Sequence, residues 1–163
     1  MAGTRETHVT QNPVAGQNIL AVFPGGEDRS ALERILGQAE WQVRFAGNLE
    51  EAQAVLRGCA IAVVLSEGCL PGGHTWKDLL AELQSMPIGR PLIVADRMAD
   101  DRLWAEVLNL GGYDLLMKPF NAREVLRTVR LACGWPPDLQ EPAAARPEAS
   151  ESGAQAYSNH AGT

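Results

Sequence analysis

The chain has 163 residues, 45% hydrophobic and 21% charged, a composition that suits one soluble globular domain plus tails. Its 14 basic and 20 acidic side chains leave a formal net charge of −6, which argues against the concentrated basic face a nucleic-acid binder needs. The sequence lacks the roughly 18-residue apolar run of a membrane span, and residues 1–17 lack the apolar core of a signal peptide. The three cysteines, Cys59, Cys69 and Cys133, are odd in number and have neither paired nor metal-ligand spacing. They fit a reducing compartment, so a cytoplasmic location is expected.

Residues 1–17 are polar and read as a flexible leader. Residues 18–23 (Asn-Ile-Leu-Ala-Val-Phe) form a first strand, ended by Pro24-Gly25-Gly26. Asp28 is placed to cap the next helix, in which Leu32, Ile35 and Leu36 share a face. Residues 42–46 give a short second strand. Asn48 and Glu51 make a capping-box signature for a helix with Ala52, Val55 and Leu56 inward, stopped by Gly58. Then comes a run of apolar residues, 60–65, broken by Ser66-Glu67 and by Leu70-Pro71-Gly72-Gly73. Such a run reads as a strand buried on both faces, the kind found at the centre of a parallel sheet.

His74 or Thr75 starts a third helix, with Leu79, Leu80 and Leu83 inward, and residues 91–95 form a fourth strand. A helix carrying Leu103, Val107 and Leu110 follows and ends at Gly111-Gly112. Residues 113–117 are the fifth strand, and Asn121 with Glu124 opens a last helix, which turns Val125, Val129 and Ala132 to one side. Beyond 134, prolines, alanines, serines and glycines prevail. Such a segment buries too little apolar surface to offset its ordering entropy, so 135–163 read as a disordered tail.

Five strand–helix alternations with short connections build one parallel sheet with helices on both faces. The expected fold is a flavodoxin-like α/β sandwich of five strands in the order 2-1-3-4-5, spanning 18–134. The carboxyl ends of the strands then bring Phe23, Pro24, Glu67, Asp96 and Lys118 to one rim, where ligands of open parallel sheets gather.

Three segments carry a family resemblance: Glu67-x-x-Leu70-Pro71-Gly72, the Gly111-Gly112-Tyr113-Asp114 turn, and Lys118-Pro119-Phe120 before a capped helix. In this order the chain resembles the receiver domain of two-component response regulators, the chemotaxis-regulator fold. The family places a phosphoryl-accepting aspartate at the position of Glu67 and a Mg²⁺-binding acidic pair at Phe23 and Pro24. It has a hydroxyl residue at Asp96, a switch aromatic at Leu115 and a lysine at Lys118. Only the lysine is unchanged. The resemblance also implies a cis bond before Pro119.

These departures have physical consequences. Mg²⁺ takes oxygen ligands at about 2.1 Å, and Phe23 and Pro24 offer no side-chain oxygen. The extra methylene of Glu67 displaces the nucleophile by roughly 1 Å, a shift that can cost about 10²-fold in rate, and no metal clamp stabilises the developing charge. The longer carboxylate instead reaches toward Lys118, with Asp96 competing for the same ammonium. Without a hydroxyl at 96 or an aromatic at 115, the domain lacks contacts that differ between two states.

The resulting expectation is a stand-alone, degenerate receiver domain of a phosphorelay. It is not an enzyme, needs no cofactor or metal, and acts through protein contacts. Trp104 and Leu108 on the fourth helix, with Arg123, Arg127 and Arg130 on the fifth, make the candidate partner or homodimer face; neither nucleic acid nor membrane is an expected partner. Two other readings remain: a phosphorylatable, Mg²⁺-dependent receiver that borrows Glu27 or Asp28, and a small flavodoxin-like ligand binder. Cys69 reads as an inert thiol, and Gly25-Gly26 as a turn lacking the residues of a phosphate loop.

Overall fold

The computed structural model describes residues 17–136; all but the last residue of the expected leader at 1–17, and most of the expected tail at 135–163, lie outside them. Strands β1 (Asn18–Val22), β2 (Gln42–Ala46), β3 (Ile61–Glu67), β6 (Leu92–Asp96) and β7 (Asp114–Met117) form one sheet. It is parallel throughout, and its order is β2-β1-β3-β6-β7. Counted in chain order, these five long strands lie in the order 2-1-3-4-5, the flavodoxin-like arrangement. Helices α1 (Gly26–Leu36), α2 (Leu49–Gly58), α3 (Trp76–Ser85) and α4 (Asp101–Leu110) supply the four crossovers, and α5 (Ala122–Cys133) follows β7.

Period-two alternation divides the core into two layers. From β1, Ile19 and Ala21 join Leu32, Ile35 and Leu36 of α1 and Val125, Val129 and Ala132 of α5. Leu20 and Val22 point the other way, to Ala52 and Leu56 of α2, Leu79 and Leu83 of α3 and Val107 of α4. Central strand β3 feeds both layers, with Val63 and Leu65 on one side and Val64 on the other. Each fully buried valine, leucine or isoleucine among them contributes about 1.5–3 kcal/mol relative to exposure.

Helix starts follow local chemistry. Asn48 Oδ1 accepts the Glu51 N–H at 2.8 Å, while the Glu51 carboxylate accepts the Gly47 N–H at 2.6 Å. Asn121 Oδ1 accepts from both Arg123 N–H and Glu124 N–H. Thr75 and Asp78 complete a reciprocal capping box at α3. His74 therefore precedes the cap. It lies in β5 (His74–Thr75), paired antiparallel with β4 (Cys69–Leu70) across a 3₁₀ turn at Pro71–Gly73. This small hairpin has no counterpart in the sequence-based expectation.

Two expectations are corrected here. Asp28 does not cap α1: Gly25 holds that position with no side-chain cap, and Asp28 is the helix's third residue, turned to the rim. Leu110 does not face the sheet. It is the last residue of α4, 42% exposed, at the turn that left-handed Gly111 (φ 103°) makes.

Candidate functional site

The rim at the carboxyl ends of the strands is built around Lys118. Strand β7 delivers it, its backbone N–H donates to the Asp96 carbonyl at 3.1 Å, and a cis bond joins it to Pro119. Its side chain is only 8% exposed. The ammonium donates to Glu67 Oε1 at 2.8 Å and to Asp28 Oδ2 at 3.2 Å. Burial draws the Lys118 pKa down, but hydrogen bonds to Glu67 and then Asp28, with their charges, outweigh it, and the net shift is upward from 10.5.

Asp28 has a second cation. Arg97, immediately after β6, places one guanidinium nitrogen 3.2 and 3.0 Å from its two carboxylate oxygens. Two carboxylates and two cations thus form a linked row, Glu67–Lys118–Asp28–Arg97, whose formal charges cancel. Lys118 is the buried link, and the Arg97 side chain, 63% exposed, is the outer one.

Asp96 is not a member of that row. Its Oδ1 accepts the Met98 N–H at 2.8 Å, so the expected competition between Asp96 and Glu67 for Lys118 is corrected: the second carboxylate at the ammonium is Asp28. Phe23 is fully buried and its ring meets Phe120 edge-on at 6.0 Å, while Pro24 is exposed. Apolar packing therefore fills the first of the two positions where the resemblance places an acidic pair. Leu115 lies partly buried at the margin of the α2–α3–α4 core layer. Among the described residues, no group of three or more His, Cys, Asp or Glu is disposed to hold a metal ion.

Edge strand β7 is flanked by α4 on one face of the sheet and α5 on the other. Trp104 (48% exposed) and Leu108 (37%) lie on α4, and Met117 (54%) on β7. The Trp104 indole N–H donates to Asp114 Oδ1 at 3.2 Å. Arg123, Arg127 and Arg130 are exposed on α5.

Sequence reasoning placed Glu67, Asp96 and Lys118 at one rim but gave Arg97 no role. Arg97 directly follows Asp96 at the strand end, and a cation among several acids was the available signal. None of the described helices is long and apolar enough to cross a membrane.

No family model matches the sequence. A curated relative, "Probable transcriptional regulatory protein y4xI" of Sinorhizobium fredii, is 29% identical over 100 residues, covering 61% of this chain. The match takes in 44% of that protein, so the chain spans under half the length of this relative. Among solved structures, the signal receiver domain of an HD domain-containing protein from Pseudomonas fluorescens is 25% identical, with a TM-score of 0.65 over 73% of this chain and 95% of that one. The chemotaxis response regulator CheY4 of Vibrio cholerae is 20% identical, with a TM-score of 0.64 over 72% and 99%. A CheY-like receiver domain protein from Methanospirillum hungatei is 22% identical, with a TM-score of 0.65 over 74% and 95%.

Proposed function

We propose that this chain, whose fold is that of response-regulator receiver domains, is a degenerate receiver that signals by protein contact without accepting a phosphoryl group. The observation that carries the reading is the occupied rim: Glu67 and Asp28 both hold Lys118. A phosphoryl group at Glu67 would have to compete for the ammonium that Glu67 Oε1 and Asp28 Oδ2 now hold. It would also need a divalent cation beside Asp28, whose carboxylate already holds Arg97 and Lys118. Phe23, packed on Phe120, supplies no replacement ligand. Stabilising the charge that develops in phosphoryl transfer is the task the metal performs in such sites.

Output then rests on a surface that needs no modification. The α4 and α5 helices supply it: an apolar pair, Trp104 and Leu108, beside edge strand β7, and three exposed arginines on α5. The partner is a signalling protein or a second copy of the chain, in the cytoplasm.

One observation favours a second reading. Asp28 does reach the rim, so a Mg²⁺-dependent receiver that borrows this carboxylate is the competitor. Incubation with acetyl phosphate and Mg²⁺, followed by intact mass measurement, separates the two. The expected spectrum shows unmodified protein. A stoichiometric mono-phosphorylated species that disappears in Glu67→Gln would replace the first reading with the second.

A further inference from the structure

Gly68, in the turn after β3, is buried. A Cβ added there would lie 2.2 Å from Asp96 Oδ2 and 3.3 Å from Asp96 Cγ. The Asp96 carboxylate thus occupies the notch that only a glycine leaves. The backbone of Gly68 is held on both sides: its N–H donates to the Ala95 carbonyl at 3.1 Å, and its carbonyl accepts the Trp76 N–H at 3.1 Å. The notch cannot drift away from its occupant without breaking those bonds.

From the notch, Asp96 ties down the connection that leads into α4. Oδ1 accepts the Met98 N–H, and the Asp96 carbonyl accepts the Lys118 N–H. Arg97 reaches back to Asp28 on α1. Asp100 then caps α4 through the Leu103 N–H at 2.8 Å. Along its length α4 is held by an ion pair between Lys77 and Glu106, by Gln84 donating to the Leu110 carbonyl at 2.9 Å, and by Trp104 on Asp114. The anchors run without a break from the end of β3 to the end of α4.

We propose that Gly68 and Asp96 form a fixed stop for the β6–α4 connection, which sets the position of α4, and with it the exposed Trp104–Leu108 face, with no ligand required. A ligand shifts a conformational equilibrium only through contacts that differ between states. Here the group that would make such a contact is wedged and already bonded. The inference deepens the preceding reading of an always-presented face, but it concerns how α4 is held, not whether Glu67 is modified.

The test is amide hydrogen exchange by NMR on the whole chain. Gly68→Ala expels the Asp96 carboxylate, so the Met98 amide should lose protection roughly tenfold to a hundredfold, the factor a hydrogen bond to a charged acceptor carries. The α4 amides should shift and exchange faster, while those of α2 stay unchanged. In an Asp96→Ala background the notch is empty, and adding Gly68→Ala should change nothing more. If Gly68→Ala fails to fold, Asp96→Ala alone decides, through the same loss at Met98 and the same changes along α4. Unaltered Met98 and α4 amides in Gly68→Ala, or an equal response to it with and without Asp96, overturn the proposal. A phosphorylated species in the mass experiment would overturn the preceding reading and leave these exchange results standing.

Discussion

Lys118 and Asp28 lie 90 positions apart in the chain, yet the ammonium stands 3.2 Å from the carboxylate. With Glu67 at 2.8 Å on its other side, this lysine joins the start of α1, the end of β3 and the end of β7. Ion pairs at an open surface contribute about 0–1 kcal/mol because water screens them. Removing one member of a desolvated pair costs more, since the remaining charge loses its counterpart. Lys118 is 8% exposed and both partners 19%, which places the row between those limits. Lys118→Met should therefore lower stability by about 1–3 kcal/mol. Urea denaturation checks this through a lower midpoint at unchanged slope. Adding Glu67→Gln should recover part of the loss, because one stranded carboxylate becomes neutral; no recovery would show that the carboxylates are solvated and the row is incidental.

The same lysine sets an alkaline limit. Its pKa is raised in the folded state, above 10.5. Folding then binds its proton more tightly, so the stabilisation is complete below the unfolded value and is lost as pH climbs through the folded one. Tyr113 acts in the same window: burial first, and then the Asp114 charge, raise its pKa from 10.0. Its neutral form is favoured in the fold, so ionisation destabilises. Burial also raises the Cys133 thiol from 9.0 to about 11, so stability should stay level from neutral pH to about 9 and fall beyond it, more steeply once Lys118 and Tyr113 join in above about 10. Repeating the urea measurement across this range checks the slope. In Lys118→Met the fall should be shallower, with the Tyr113 and Cys133 shares left; an identical slope in both proteins would remove Lys118 from the explanation.

What the sequence made legible was what depends on local periodicity and on chain order. Alternating βα segments forced a parallel sheet. Its strand order then brought Glu67 and Lys118 to one rim, and Asn48 and Asn121 stood where their caps formed. Illegible were features set by backbone bends of one or two residues. Gly25 and Gly26, at φ 147° and 80°, start α1 early and aim Asp28 at the rim, so a residue read as a cap became a counter-ion. The space above Gly68 turned Asp96 away from Lys118, and no pattern of residue types encodes that space. The Cys69–Thr75 hairpin was too short to carry a periodic signal.

The cap on α5 gives a local test that is independent of the rim. Asn121 Oδ1 accepts two backbone N–H groups, at 3.0 and 3.2 Å. Among the described residues, no other side chain accepts from either. Asn121→Ala should cost about 1 kcal/mol, and Asn121→Ser or Asn121→Asp only a few tenths, since either replacement restores an acceptor. Thermal unfolding of the three variants ranks them. Alanine unfolding no earlier than aspartate would mean that packing of Val125 and Val129 alone fixes where α5 begins.

Thiol chemistry distinguishes two of the cysteines by environment. Cys69 is exposed in the β4–β5 hairpin, whereas burial pushes the Cys133 thiol up from 9.0 to about 11. Only the thiolate attacks an alkylating reagent. At about pH 8 a thiol with a pKa near 11 is ionised to roughly one part in a thousand, against roughly a quarter for a free cysteine. Iodoacetamide should therefore label exposed Cys69 well before Cys133, and peptide mapping over time resolves the two sites. Labelling of Cys133 should quicken as pH rises toward 11, where about half of its thiol is ionised. Equal labelling at neutral pH would show that the end of α5 opens on the timescale of the reaction, and that the packing of Tyr113 edge-on against Trp135, 5.0 Å between ring centres, does not keep it closed.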